Sequence, residues 1–133
     1  MNPADFESAL KLWQGTEGMG LNSADTPDQI RRFLERNPGL STVAESEGRL
    51  VGTALCGHDG RRGFIYHLAV DQNARARGVG RRLVEQSLTN LKEAGLTRCH
   101  IVVYAHNTAG QKFWEHIGFT ARKELLICSS LLD

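Results

Sequence analysis

Ile65-Tyr66-His67-Leu68-Ala69-Val70-Asp71-Gln72-Asn73-Ala74-Arg75-Ala76-Arg77-Gly78-Val79-Gly80-Arg81-Arg82-Leu83-Val84 opens a stretch that runs on to Leu91 and decides how the chain is read. The apolar run Phe64 to Val70 is short, carries Ile, Tyr and Val, and ends in the polar break Asp71 to Ala74, which predicts a buried strand. From Val79 the apolar residues Val79, Leu83, Val84, Leu88 and Leu91 recur at helical spacing, with Arg81, Arg82, Glu85 and Lys92 between them. A strand therefore feeds a glycine-bearing turn that becomes the first turn of a helix.

The first N–H groups of a helix have no intrahelical acceptor, and the macrodipole adds partial positive charge there. Glycine lets a ligand approach the backbone without a Cβ in the way. Arg75, Arg77, Arg81 and Arg82 surround this opening with positive charge, so the stretch predicts an anion site of pyrophosphate type. A P-loop is excluded, because Arg81-Arg82 stand where Lys-Ser/Thr is required. The dinucleotide fingerprint is excluded by Leu83 at its third glycine position. What remains is Arg-x-x-Gly-x-Gly, which taken alone is also compatible with a tight turn carrying solvated arginines.

A chain of 133 residues is expected to form one domain and can bury roughly two-thirds of its unfolded surface. Apolar content of 41% and charged content of 23% are those of a globular protein. A net charge of +1 argues against a general nucleic-acid or membrane-surface binder. Cys56, Cys99 and Cys128 form no Cys-x-x-Cys pair, and no histidine cluster has metal-ligand spacing, so free thiols and no metal are expected. No signal or spanning segment is legible, and a reducing cytoplasm is the expected compartment.

Along the chain, Asn2-Pro3-Ala4-Asp5 reads as a helix start, followed by the apolar face Phe6, Ala9, Leu10 and Trp13. A second helix is predicted from Pro27 to Arg36 after Thr26 as N-cap, with Asn37-Pro38-Gly39 as its stop. Leu40 to Glu45 and Arg49 to Cys56 read as a hairpin around Ser46-Glu47-Gly48. After the long helix, Ala94-Gly95 is a stop, Arg98 to Tyr104 a strand, Asn107-Thr108 the start of a short helix closed by Gly118, and Lys123 to Cys128 a last strand. The order gives an α/β layer protein with a mixed sheet flanked by helices.

On two anchors the chain resembles the GNAT superfamily of acetyl-CoA-dependent N-acetyltransferases. The first is Arg75 to Gly80, similar to that family's Gln/Arg-x-x-Gly-x-Gly/Ala loop. The second is Asn107 with Phe113-Trp114 and Gly118-Phe119, similar to its Asn-x-x-Ala-x-x-Phe-Tyr-x-x-x-Gly-Phe segment. Asn37-Pro38-Gly39-Leu40, Asp59-Gly60-Arg61-Arg62-Gly63 and Tyr66 to Val70 resemble a bacterial subgroup known as YpeA-like. The likeness spans Pro3 to Ile127 and begins at the family's first helix, so a single-domain sheet without the family's usual first strand is expected over residues 1–133.

The resemblance implies acetyl-CoA as cosubstrate and direct acetyl transfer to an amine, on a small molecule or a protein, in a ternary complex. Cofactor contacts are then expected from the backbone of Leu68, Ala69 and Val70, and from Arg75, Ala76, Arg77, Gly78, Val79, Gly80 and Arg81. Asn107, Phe113 and Trp114 complete that set, with Asn107 equally readable as a helix N-cap. The family's tyrosine acid corresponds here to Trp114, an indole with no useful acidity, and a glutamate base used by some members corresponds to Val102. His67 and Tyr104 are the replacement proton groups taken forward, with Tyr66 and His106 behind them. Strand alternation puts Tyr66 and His67 on opposite sides of the sheet, and a hydrogen-bonded structural role is the other reading of His67. No cysteine lies near either anchor, which disfavours a covalent acetyl-cysteine route. A homodimer is expected from the resemblance only. The alternatives are a non-catalytic acyl-CoA-binding or sensor module, which Trp114 keeps open, and a site for another phosphate ligand.

Overall fold

The computed structural model describes residues 1–132. They form two compact units, one of residues 1–102 and one from residue 103 onward. In the first unit Asn2 caps a 3-10 turn, Pro3–Asp5, by accepting from the Ala4 N–H, while Asp5 accepts from the Asn2 N–H. The turn runs into α1 (Phe6–Gln14), which buries Phe6, Ala9 and Trp13. A second capping box, Asn22 with Asp25, makes the 3-10 turn Ser23–Asp25. Thr26 then caps α2 (Pro27–Arg36), which buries Ile30 and Leu34. Asn37 does more than stop α2: buried itself, it donates to the Phe33 carbonyl and accepts from the His58 N–H, tying the helix end to the sheet.

The sheet has the order β1 (Thr42–Ser46), β2 (Arg49–His58), β3 (Gly63–Val70), β4 (Cys99–His100). The first two pairs are antiparallel and the third is parallel, so the expected mixed sheet is present. Thr53 faces α1, accepting the Trp13 indole N–H at 2.9 Å. Its neighbour Gly52 faces α3 (Val79–Glu93), where an added Cβ would stand 2.9 Å from Leu83 Cδ1. Successive residues of a strand face opposite sides, so α1 and α2 cover one face of the sheet and α3 the other. The α1–α2 side holds a core of Phe6, Ala9, Trp13, Ile30, Leu34, Leu55 and Ala69.

Two predicted strands are corrected. Arg98 to Tyr104 is a strand only at Cys99–His100, whose ladder stops after pairing with Gly63 and Phe64. Just beyond, β3 carries a bulge, a feature that kinks a strand and ends pairing. Lys123 to Cys128 is not a strand. The unit from residue 103 contains α4 (Thr108–His116) and no strand among its described residues, so that segment has no ladder to join within its unit. Leu125, Leu126 and Ile127 are exposed accordingly.

Cys56 is fully buried against α3, with Sγ 3.9 Å from the Ser87 carbonyl. Burial, and next the charge of Cys99, pushes its thiol up to about 12, and burial pushes Cys99 up to about 11. Raised values suppress the reactive thiolate. A thiol reagent at about pH 8 is therefore expected to label Cys128 alone in the native protein and all three cysteines in denaturant; fast native labelling of Cys56 would contradict this packing. Trp13→Phe removes the indole donor to Thr53 and is expected to cost about 1–2 kcal/mol, read as a lower urea midpoint by circular dichroism. An unchanged midpoint would mean that bond is not needed.

Candidate active site

β3 ends where Asp71 donates its N–H to the Val51 carbonyl at 2.7 Å. The Asp71 carboxylate accepts from the Asn73 N–H and starts the 3-10 turn Gln72–Ala74, pinned by buried Ala74. Arg75 then reaches back, its Nε donating to the Val70 carbonyl at 3.1 Å. This bond joins the loop to the strand end, and it occupies one of the backbone groups expected to meet a ligand. Ala76 (φ 68°) and Gly78 (φ 75°) both sit in the left-handed region, at a cost of order 1 kcal/mol or more for the alanine. An added Cβ at Gly78 would meet nothing within 4 Å, so conformation rather than crowding calls for glycine there.

Gly78 is the N-cap of α3 and gives it no side-chain cap. The Arg82 N–H closes the first helical bond, to the Gly78 carbonyl at 3.0 Å, which leaves Val79, Gly80 and Arg81 amides without intrahelical acceptors. Arg75, Ala76, Arg77, Gly78, Arg81 and Arg82 are exposed and Val79 is buried. Arg81 pairs with Glu85 one turn on, at 2.9 Å. Arg77 and Arg82 line, with Thr42, Glu45 and Gln86, a cleft of about 400 Å³ beside β1. Uncapped amides, guanidinium groups and open space at one helix start make a fitting seat for a pyrophosphate.

Upstream, β3 carries one residue more than β2 between the pairs Thr53↔Ala69 and Leu55↔Tyr66. His67 lies in that bulge with φ 47°. Its carbonyl accepts from Thr53 Oγ1 at 2.8 Å, its ring lies 4.7 Å from the Trp13 ring, and its Nε2 is 2.6 Å from Asp25 Oδ1. Both side chains of the pair are largely enclosed, with 15% of His67 and 9% of Asp25 exposed. Tyr66 packs edge-on against Phe33 of α2 and stacks on Phe64. Burial, then the nearby charges of Cys99 and Asp59, pushes its phenol up. Tyr66 and His67 thus share the α1–α2 side. The expected alternation fails because the extra residue breaks the period of the strand. Asp25 was missed from the sequence, although Asn22-x-x-Asp25 is a legible cap pattern.

In the second unit Asn107 caps α4, its Oδ1 accepting the Gly110 N–H at 2.9 Å. Tyr104 is half exposed and stacks on His106, while Gln111 donates to the Tyr104 and Ala105 carbonyls. Trp114 sits edge-on to both Phe113 and Phe119. Among the described residues no group of three His, Cys, Asp or Glu side chains is arranged to hold a metal ion, and no helix is long and apolar enough to cross a membrane.

The model of the acetyltransferase (GNAT) family matches residues 6–119. An acetyltransferase of Pectobacterium atrosepticum is 32% identical over 116 residues, covering 86% of this chain and 81% of its own length. Among solved structures, Ard1 from Thermoplasma volcanium is similar with a TM-score of 0.79 at 23% identity, over 90% of this chain and 79% of that one. The PaiA N-acetyltransferase of Thermoplasma acidophilum, solved with coenzyme A, is similar with a TM-score of 0.77 at 15% identity, over 92% of this chain and 87% of that one. At those identities the solved structures speak for the fold, and the family match speaks for the lineage: the chain belongs to the acetyltransferase (GNAT) family.

Proposed function

We propose that residues 1–133 act as one YpeA-like N-acetyltransferase domain that moves an acetyl group from acetyl-CoA directly to an amine in a ternary complex. The observation that carries the reading is the arginine-bearing turn at the uncapped start of α3, joined to the end of β3 by the Arg75–Val70 bond. Amides from Arg77 to Arg81 would receive the pyrophosphate, since the Arg82 N–H is already bonded to the Gly78 carbonyl, with Arg75, Ala76, Gly78, Val79, Gly80 and Arg81 shaping the cradle. Backbone of Leu68, Ala69 and Val70 would meet the pantetheine arm, since β4 pairs only with the beginning of β3. Three free thiols fit a reducing cytoplasm.

Bound acetyl-CoA would supply an activated acyl group with a thiol leaving group. The acceptor amine arrives as an ammonium ion at neutral pH and must lose a proton before its lone pair can attack. His67 takes that proton. Carbon–nitrogen bond formation and carbon–sulfur cleavage then yield an amide and a thiolate. A backbone N–H of Leu68 to Val70 stabilises charge on the acyl oxygen, and the departing sulfur takes up a proton. In balance, one ammonium and one thioester give one amide, one thiol and one released proton. The acceptor is an amine-bearing small molecule or protein.

Gly78→Glu puts bulk and negative charge at the helix start, and calorimetric titration is expected to show at least a tenfold loss of acetyl-CoA affinity, or about 1.4 kcal/mol. Gly78→Asn, which tolerates the left-handed backbone, is the folded control and is expected to melt within a few degrees of wild type. Full affinity in Gly78→Glu would move the phosphate seat elsewhere.

A further inference from the structure

We infer that Asp25 is the positioning residue for His67: its carboxylate fixes the imidazole with the proton on Nε2 and leaves Nδ1 as the atom that accepts the amine's proton. The inference rests on the acetyltransferase reading above and adds to it a residue from a different element, the turn before α2. Three observations carry it.

The first is the contact. Nε2 and Oδ1 stand 2.6 Å apart in a largely enclosed pair. A carboxylate only accepts, so Nε2 must carry the hydrogen, and the neutral ring then has its lone pair on Nδ1. The second is that Asp25 is itself held. Its Oδ2 accepts the Asn22 N–H at 2.9 Å, and its own N–H bonds the Asn22 carbonyl at 3.0 Å. The carboxylate therefore cannot swing away to suit another tautomer without opening the turn. The third is the state of Nδ1. Among the described residues it makes no hydrogen bond, and it is not among the fully enclosed unpartnered polar atoms. One ring nitrogen is committed and the other is open.

The surroundings add no competing charge. Trp13 from α1 stacks on the ring, and Thr53 from β2 bonds the carbonyl; neither titrates in the relevant range. Tyr66 on β3 is turned to Phe33 and Phe64. Asp25 is the carboxylate that faces the imidazole. A carboxylate in this relation sets the tautomer of a basic histidine and stabilises the imidazolium once formed. The step balances: an ammonium N–H bond breaks, its electron pair stays on the amine nitrogen, and the proton forms a bond to Nδ1. The imidazolium later passes that proton to water.

The test compares wild type, Asp25→Asn, Asp25→Glu and His67→Gln. In nitrogen-15 NMR of the ligand-free wild type the neutral form of His67 is expected to carry its one ring N–H on Nε2; a neutral form with its hydrogen on Nδ1 would overturn the inference without any variant. In Asp25→Asn the side-chain amide can present either its oxygen or its nitrogen, so the tautomer is expected to become mixed. Acetyl-CoA affinity should stay within about twofold, while kcat should fall about tenfold to a hundredfold. Asp25→Glu should restore part of kcat. Wild-type kcat with an unchanged tautomer in Asp25→Asn, or wild-type kcat in His67→Gln, would overturn the inference. Failure of the wild type to bind acetyl-CoA would instead strike the acetyltransferase reading.

Discussion

One extra residue in β3 governs the site. It places His67 at φ 47°, a conformation that a side-chain-bearing residue enters at a cost of about 1 kcal/mol or more. The surrounding structure holds it there from three elements. The Trp13 indole donates to Thr53, Thr53 donates to the His67 carbonyl, and Asp25 takes the ring. Trp13 and Thr53 are among the most deeply buried side chains of the first unit, so the bulge is anchored in the core and not at the rim. The same bulge turns His67 toward the α1–α2 side, and the strand beyond it continues past the end of β4 to the loop that opens α3.

The loop is built on a second constraint, a helix start with no side-chain cap. Exposed helix amides are normally satisfied by Ser, Thr, Asp or Asn, and this chain uses such caps at Asn2, Asn22, Thr26 and Asn107. At α3 it has glycine instead. The chain caps its other α-helical starts or the turns leading into them and leaves this one open among arginines, and the proposed pyrophosphate seat rests on that contrast. Arg75 adds mechanical coupling, because its bond to Val70 makes the loop and the strand end one piece.

Much of this was legible in the sequence. Helical periodicity gave α2 with Thr26 as cap and Pro27–Arg36 as span, and Val79, Leu83, Val84 and Leu91 fall on the buried face of α3. The order of strand, glycine-bearing turn and helix start around Arg75 to Arg82 needed only periodicity and turn chemistry. What could not be read was non-local. A bulge is a difference in length between two paired strands, and neither strand shows it alone. The His67–Asp25 contact joins residues 42 apart in the chain, and no periodic signal links them. The segments Arg98 to Tyr104 and Lys123 to Cys128 have the apolar, β-branched or aliphatic composition of strands, but composition does not supply a neighbour to pair with. Ala76 in the left-handed region was equally invisible, since alanine gives no warning of positive φ.

The central claim, that the open start of α3 is a coenzyme A seat, is tested most directly by thermal-shift titration with acetyl-CoA beside CoA, ATP and NAD. The account predicts that both CoA species raise the melting temperature in a saturable way, while ATP and NAD do so weakly or not at all. Equal stabilisation by all four would reduce the loop to a general anion site, and no response from any would leave it a structural turn.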